Sequence, residues 1–146
     1  MPDAAVTVTV THRFAASPER VFDAWLSPRL IAEWMVAPAH DEMVRCELEA
    51  RLGGAFCFVV RRAGEEIDHT GAYLEMDRPS RLAFTWCVPR YSAEATTVSL
   101  DLATDGTGTE LTLRHDGVLP EYAERVHSGW STILDAIDAA LGAGGA

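Results

Sequence analysis

The sequence predicts an α+β fold in which a curved, seven-stranded antiparallel sheet wraps one long C-terminal helix, with two short helices after the first strand. Three observations predict it. Two helix starts stand back to back in Ser17–Trp34, most of the remaining chain alternates with a two-residue period, and the apolar spacing after Pro120 becomes helical.

The first strand is read from Val6, Val8 and Val10 set against Thr7, Thr9 and Thr11. Ser17-Pro18 and Ser27-Pro28 then open one short helix each. A serine hydroxyl accepts an orphan backbone N–H, and proline suits the first helical position, where no donor is needed. Val21, Phe22, Trp25 and Leu26 form one apolar face, and Leu30, Ile31 and Trp34 the next, so the pair is expected to close one end of a core. Alternation returns at Val44, Cys46 and Leu48 against Arg45, Glu47 and Glu49. Gly53-Gly54 turns the chain into a strand through Phe56 and Phe58, and Ala63-Gly64 separates that strand from Ile67–Met76. Asp77, Pro79 and Ser80 precede a strand over Arg81–Val88, and Asp105-Gly106 joins Thr96–Ala103 to Glu110–His115 as a hairpin. From Pro120 to Leu141 apolar residues fall at Tyr122, Val126, Trp130, Ile133, Leu134, Ile137 and Leu141, about 30 Å of helix. Gly142, Gly144 and Gly145 are read as ending it in a frayed tail.

The 146 residues suit one domain over 1–146, with a hydrophobic content of 48% typical of a soluble globular protein and no apolar run near the roughly 20 residues of a membrane span. Met1–Val10 shows no export signal, so a cytoplasmic location is expected. Cys46, Cys57 and Cys87 are odd in number and lack C-x-x-C spacing, which favours reduced, buried thiols. A net charge of −10 argues against nucleic acid and anionic membrane surfaces as partners.

Strand parity places Phe56 and Phe58, then Leu82, Phe84 and Trp86, then Val98, Leu100 and Leu102, and finally Leu111, Leu113 and His115 on one face. Trp130, Ile133, Leu134 and Ile137 are expected to meet that face from the helix. One helix does not fill the concave side of a curled sheet, so a cavity of roughly 300 Å³ or more is expected beside Trp130, Phe84 and Trp86. Simple core packing is the competing explanation. Gly129 would let sheet or ligand approach the helix closely, or is merely tolerated. The strand 69–76 is apolar on both faces, leaving open whether Tyr73 and Glu75 or Ala72 and Leu74 point inward.

Residues along nearly the whole chain carry a family likeness. They include Phe14, Pro18, Val21-Phe22, Ala24-Trp25, Pro28, Leu30 and Trp34, then Arg51 with Gly53-Gly54, Gly71-x-Tyr73-x-Glu75 and P-S-R-L-A-F-T-W over 79–86. Thr109-x-Leu111-x-Leu113-x-His115 and Gly129-Trp130 with Leu134 complete the set. In this order they resemble the helix-grip (SRPBCC) superfamily of birch-pollen-allergen-like proteins, START-related lipid-transfer domains and polyketide cyclases, in the branch similar to the activator of heat-shock protein 90 ATPase. That branch usually follows its Trp34-like position with a second Trp and a Gly-Pro, whereas this chain reads Met35-Val36-Ala37-Pro38. The resemblance implies a helix-grip fold binding a small apolar or amphipathic molecule between sheet and helix. Its alternatives are a protein-interaction domain touching a chaperone or another partner, and a polyketide cyclase or hydrolase-like enzyme.

Catalytic motifs are sparse. Nucleophile-elbow, phosphate-loop, zinc-helix and dinucleotide patterns are missing from the sequence, so no catalytic residue, metal or cofactor is assigned. His115 could serve as a general base but reads first as a hydrogen-bonded core histidine. His40-Asp41-Glu42 lies in a polar loop and reads poorly as a metal site, and a Cys57 or Cys87 pairing with His115 reads poorly as a nucleophile and base. His127 is expected on the surface.

Overall fold

A computed structural model describes residues 5–36, 41–89 and 94–143. Strand β1 (Val6–Phe14) leads into helices α1 (Pro18–Ala24) and α2 (Pro28–Trp34). Strands β2 (Glu42–Leu48), β3 (Ala55–Arg62), β4 (Glu65–Asp77), β5 (Arg81–Trp86), β6 (Thr96–Asp105) and β7 (Gly108–Val118) follow. A single 3₁₀ turn (Pro120–Tyr122) precedes the long helix α3 (Ala123–Ala143). The seven strands are antiparallel in the order β1-β7-β6-β5-β4-β3-β2, so the first and last strands meet while the rest form a meander.

Both Ser-Pro signals work as expected: the Ser17 and Ser27 hydroxyls accept the N–H groups of Arg20 and Leu30, each at 3.4 Å, with proline in the first helical turn. Ala63 and Gly64 take φ of 52° and 81° at the β3–β4 hairpin, a turn in which both residues need positive φ. Core packing lies between the inner sheet face, α1, α2 and α3, with Phe14, Ile31, Leu82, Leu100, Leu111, Leu113, Leu134 and Ile137 almost fully buried.

Four sequence expectations change, and one point the sequence leaves open is settled. Val44 is 39% exposed rather than inward, because the β2–β3 register slips between Met43 and Arg45; the extra residue turns outward while Met43, Cys46 and Leu48 pack against the core. A second slip between Tyr73 and Glu75 settles the strand the sequence left open: Tyr73 points inward opposite Phe84, Leu74 and Glu75 point out, and Met76 returns to the core opposite Leu82. Tyr122 lies in the 3₁₀ turn, rotated off the apolar face of α3, and is 46% exposed. Helix α3 also runs through Gly142 instead of stopping there; the residues of the expected tail beyond 143 lie outside the described ones. The cysteines are free but half-buried rather than buried. Among the described residues, no helix is long and apolar enough to cross a membrane.

Candidate functional site

The inner faces of β3, β4 and β5 converge with the helices on a cluster of aromatic rings. Phe56 and Phe58 stack along β3 with centroids 4.8 Å apart, and Phe56 meets Tyr73, Phe84 and Trp86 at 5.4, 5.7 and 6.0 Å. Trp25, just past α1, and Trp34, at the end of α2, lie 5.2 Å apart and cover these rings. Trp130 of α3 closes the other side, 6.2 Å from Trp25 and 5.4 Å from Trp86. Gly71 makes the arrangement possible: a Cβ there would collide with the Phe56 ring and the Thr85 carbonyl.

These eight rings enclose a cavity of only about 20 Å³. That is room for about one water molecule, and it corrects the expectation of roughly 300 Å³. The concave space beneath the sheet is filled not by α3 alone but by Trp25 and Trp34 of the helix pair, since aromatic side chains each bury 150–250 Å².

Of the candidate lining residues, Phe56, Phe58, Phe84, Trp86 and Trp130 border the cavity. Leu82, Val98, Leu100, Leu113, Leu134 and Ile137 are buried core beside it, and Ile133 is half-buried against that core. The structure adds Trp25, Trp34 and Tyr73. The first two are legible in the sequence as an apolar helix face that closes the core; the direction of Tyr73, left open by the sequence, is set by the register slip in β4.

Two indoles in the cluster are anchored. Trp34 Nε1 donates to the Ala24 carbonyl at 3.0 Å, and Trp130 Nε1 donates to His115 Nδ1 at 2.9 Å. The second bond fixes the imidazole: with Nδ1 accepting, Nε2 carries the hydrogen and donates to Thr96 Oγ1 at 2.6 Å, and Thr96 donates to the Trp86 carbonyl at 2.9 Å. Burial pushes the His115 pKa down to about 4, so the ring is neutral at pH 7. Both ring nitrogens are occupied, leaving no lone pair for a general base. By contrast, the Trp25 indole nitrogen is buried without a hydrogen-bond partner among the described residues. Trp86, half-buried, stands at the rim with the His69 ring 5.5 Å away. His69 Nδ1 lies 3.3 Å from the Phe58 carbonyl, and burial lowers its pKa.

Other candidates are dispersed. An open groove of about 220 Å³ between α1, α2 and the end of α3 contains Arg20, Asp23 and Arg29, but Arg20 already donates to the Leu141 carbonyl and Asp23 holds Arg78. His40 lies outside the described residues, Asp41 is bound by Arg62, and among the described residues no three His, Cys, Asp or Glu side chains are grouped to hold a metal. His127 is exposed. Gly129 has open space where a Cβ would stand, so close approach does not explain it.

A curved antiparallel sheet gripping a C-terminal helix, with the helix pair inserted after β1, defines a helix-grip protein. The family model for "Activator of Hsp90 ATPase homolog 1-like protein" matches residues 15–142, and the chain belongs to that family. A protein from Rhodobacter sphaeroides is 27% identical, with a TM-score of 0.81 over 98% of this chain and 97% of its own. Protein CV1439 from Chromobacterium violaceum is 25% identical, with a TM-score of 0.80 over 91% and 94%. The AHSA1-like protein from Aeromonas hydrophila, 22% identical, shares the fold with a TM-score of 0.82 over 96% and 94%. Among curated proteins, none matches this chain.

Proposed function

We propose that the chain binds a small apolar or amphipathic molecule among the aromatic rings between β3–β5 and Trp130. The observation that carries this reading is the unequal anchoring of the rings around the cavity. Of the four indoles, Trp34 and Trp130 are tied by hydrogen bonds, whereas Trp25 and Trp86 have no side-chain hydrogen bond among the described residues and, like the Phe rings, are held by ring contacts. A ligand therefore enters by displacing rings, with Trp86 at the rim as the first to move. Trp86 gives up contacts with Phe56, His69, Phe84 and Trp130, roughly 2–6 kcal/mol in all. A ligand burying about 300 Å² of apolar surface gains roughly 7 kcal/mol. The margin is narrow, so affinity is modest unless the ligand restores the ring contacts it breaks.

The test is thermal melting of the wild type and of Trp86→Ala with sterols, fatty acids and neutral bicyclic aromatics. At least one class should raise the melting temperature, by about 2.7 kcal/mol of stabilisation at 100 times its dissociation constant. Trp86→Ala, with the rim ring removed, should bind that class more tightly. Failure of every class to shift either protein would remove the reading.

A second reading, protein interaction, rests on the family description. On the outer sheet face, however, Glu75–Arg81–Asp101–Arg114 form a ladder of ion pairs at 2.8 Å where docking would need contiguous apolar area. Stimulation of a heat-shock protein 90 ATPase by the purified chain would favour this reading over the first.

A further inference from the structure

Resting on the cavity reading above, we infer that the occupant is an uncharged, largely apolar molecule that presents a carbonyl or ether oxygen to the indole N–H of Trp25. Trp25 is 4% exposed and borders the cavity, yet its Nε1 has no hydrogen-bond partner among the described residues. Buried donors are nearly always paired, and an unpaired one is costly because it has given up water for nothing. The same cluster shows the fold supplying partners elsewhere: a carbonyl for Trp34 and an imidazole nitrogen for Trp130. Trp25 is the fully buried indole left to be satisfied by something entering the cavity.

The rest of the lining narrows the chemistry. Among the described residues, every side chain bordering the cavity is aromatic and none is acidic or basic. A cation would gain from the ring faces but meets an N–H donor instead of a carboxylate, while a buried carboxylate would have no cation to offset its desolvation. A neutral acceptor answers the fully buried, unpaired N–H without adding a charge. Tyr73, 3% exposed on the sheet side of the cavity, brings a phenolic O–H as a second donor.

The experiment compares acetylnaphthalene with its isopropenyl counterpart, in which a methylene replaces the carbonyl oxygen at nearly unchanged shape. Calorimetric titration of the wild type should show the ketone binding about tenfold more tightly, the usual size of satisfying a buried donor. In Trp25→Phe that preference should collapse to about twofold or less. Proton–nitrogen correlation spectra give an independent reading in the unmutated protein. The Trp25 indole N–H, assigned through its contacts with Trp34 and Phe84, should move downfield with the ketone and not with the alkene. Equal affinity for both probes would overturn the inference and leave the cavity reading intact, as would a ketone preference that survives in Trp25→Phe. Binding of neither probe would also overturn the inference, whereas the cavity reading falls only if the whole melting panel fails as well.

Discussion

At the residue scale, His115 is a structural relay between α3 and the sheet, receiving the Trp130 N–H and passing a hydrogen bond through Thr96 to the Trp86 carbonyl. Its pKa is lowered to about 4 by burial, whereas in the unfolded chain it titrates near 6.5. Between these values the unfolded state binds more protons than the folded one, so stability rises with pH across the window. The contribution is complete above about pH 6.5 and is lost as pH falls towards about 4, an upper bound of about 3 kcal/mol. Glutamine can accept from Trp130 and donate to Thr96, so His115→Gln should cost about 1 kcal/mol at neutral pH. It should also flatten part of the acid slope. Denaturant midpoints of both proteins at about pH 7.5 and about pH 4.5 would check this; a gap that fails to narrow at the lower pH would contradict the neutral, bonded imidazole. His69, also depressed by burial, contributes with the same sign and stays constant in the comparison.

At the scale of elements, two glycines separate position from tolerance. Gly71 in β4 lies against the Phe56 ring and the Thr85 carbonyl, so Gly71→Ala should push Phe56 away or spread β4 from β5. A loss of roughly 2 kcal/mol or more is expected, in the range of overpacked sites. Gly129, exposed within α3 and with open space at its Cβ position, should become about 0.5–1 kcal/mol more stable as alanine. Thermal melts of the two variants should therefore move in opposite directions, and a stabilised Gly71→Ala would sink the packing account. The same elements show why some of the fold was legible and some was not. Ser17-Pro18 and Ser27-Pro28 act through local hydrogen bonds and a fixed φ, so a few consecutive residues suffice to read them. The inward set on β3, β5, β6 and β7 follows from unbroken alternation. Val44 and Tyr73 depend on register slips that exist only once neighbouring strands pair, and no spacing within their own segments announces those slips. The cavity's size is not legible for a related reason: Trp25 and Trp34 are visible on the short helices, but how deeply they enter beneath the sheet is a tertiary fact.

For the whole molecule, sheet order sets a gradient of stability. Strands β6 and β7 have hydrogen-bonded neighbours on both sides, whereas β2 ends the sheet with β3 as its one strand neighbour. Amide hydrogens of β6 and β7 should exchange slowest, near the rate of global unfolding, and those of β2 distinctly faster. Equal protection in β2 would mean that something covers its outer edge. The tryptophans add a property of another kind. All four in the chain, Trp25, Trp34, Trp86 and Trp130, lie in the one aromatic cluster and are linked through neighbouring rings. An excited indole therefore has another within transfer distance, so the protein's intrinsic emission is a shared signal from one place. Light absorbed anywhere in the cluster loses its polarisation by hopping between rings, and the whole fluorescence spectrum becomes a reporter of whatever enters or leaves the space those rings enclose.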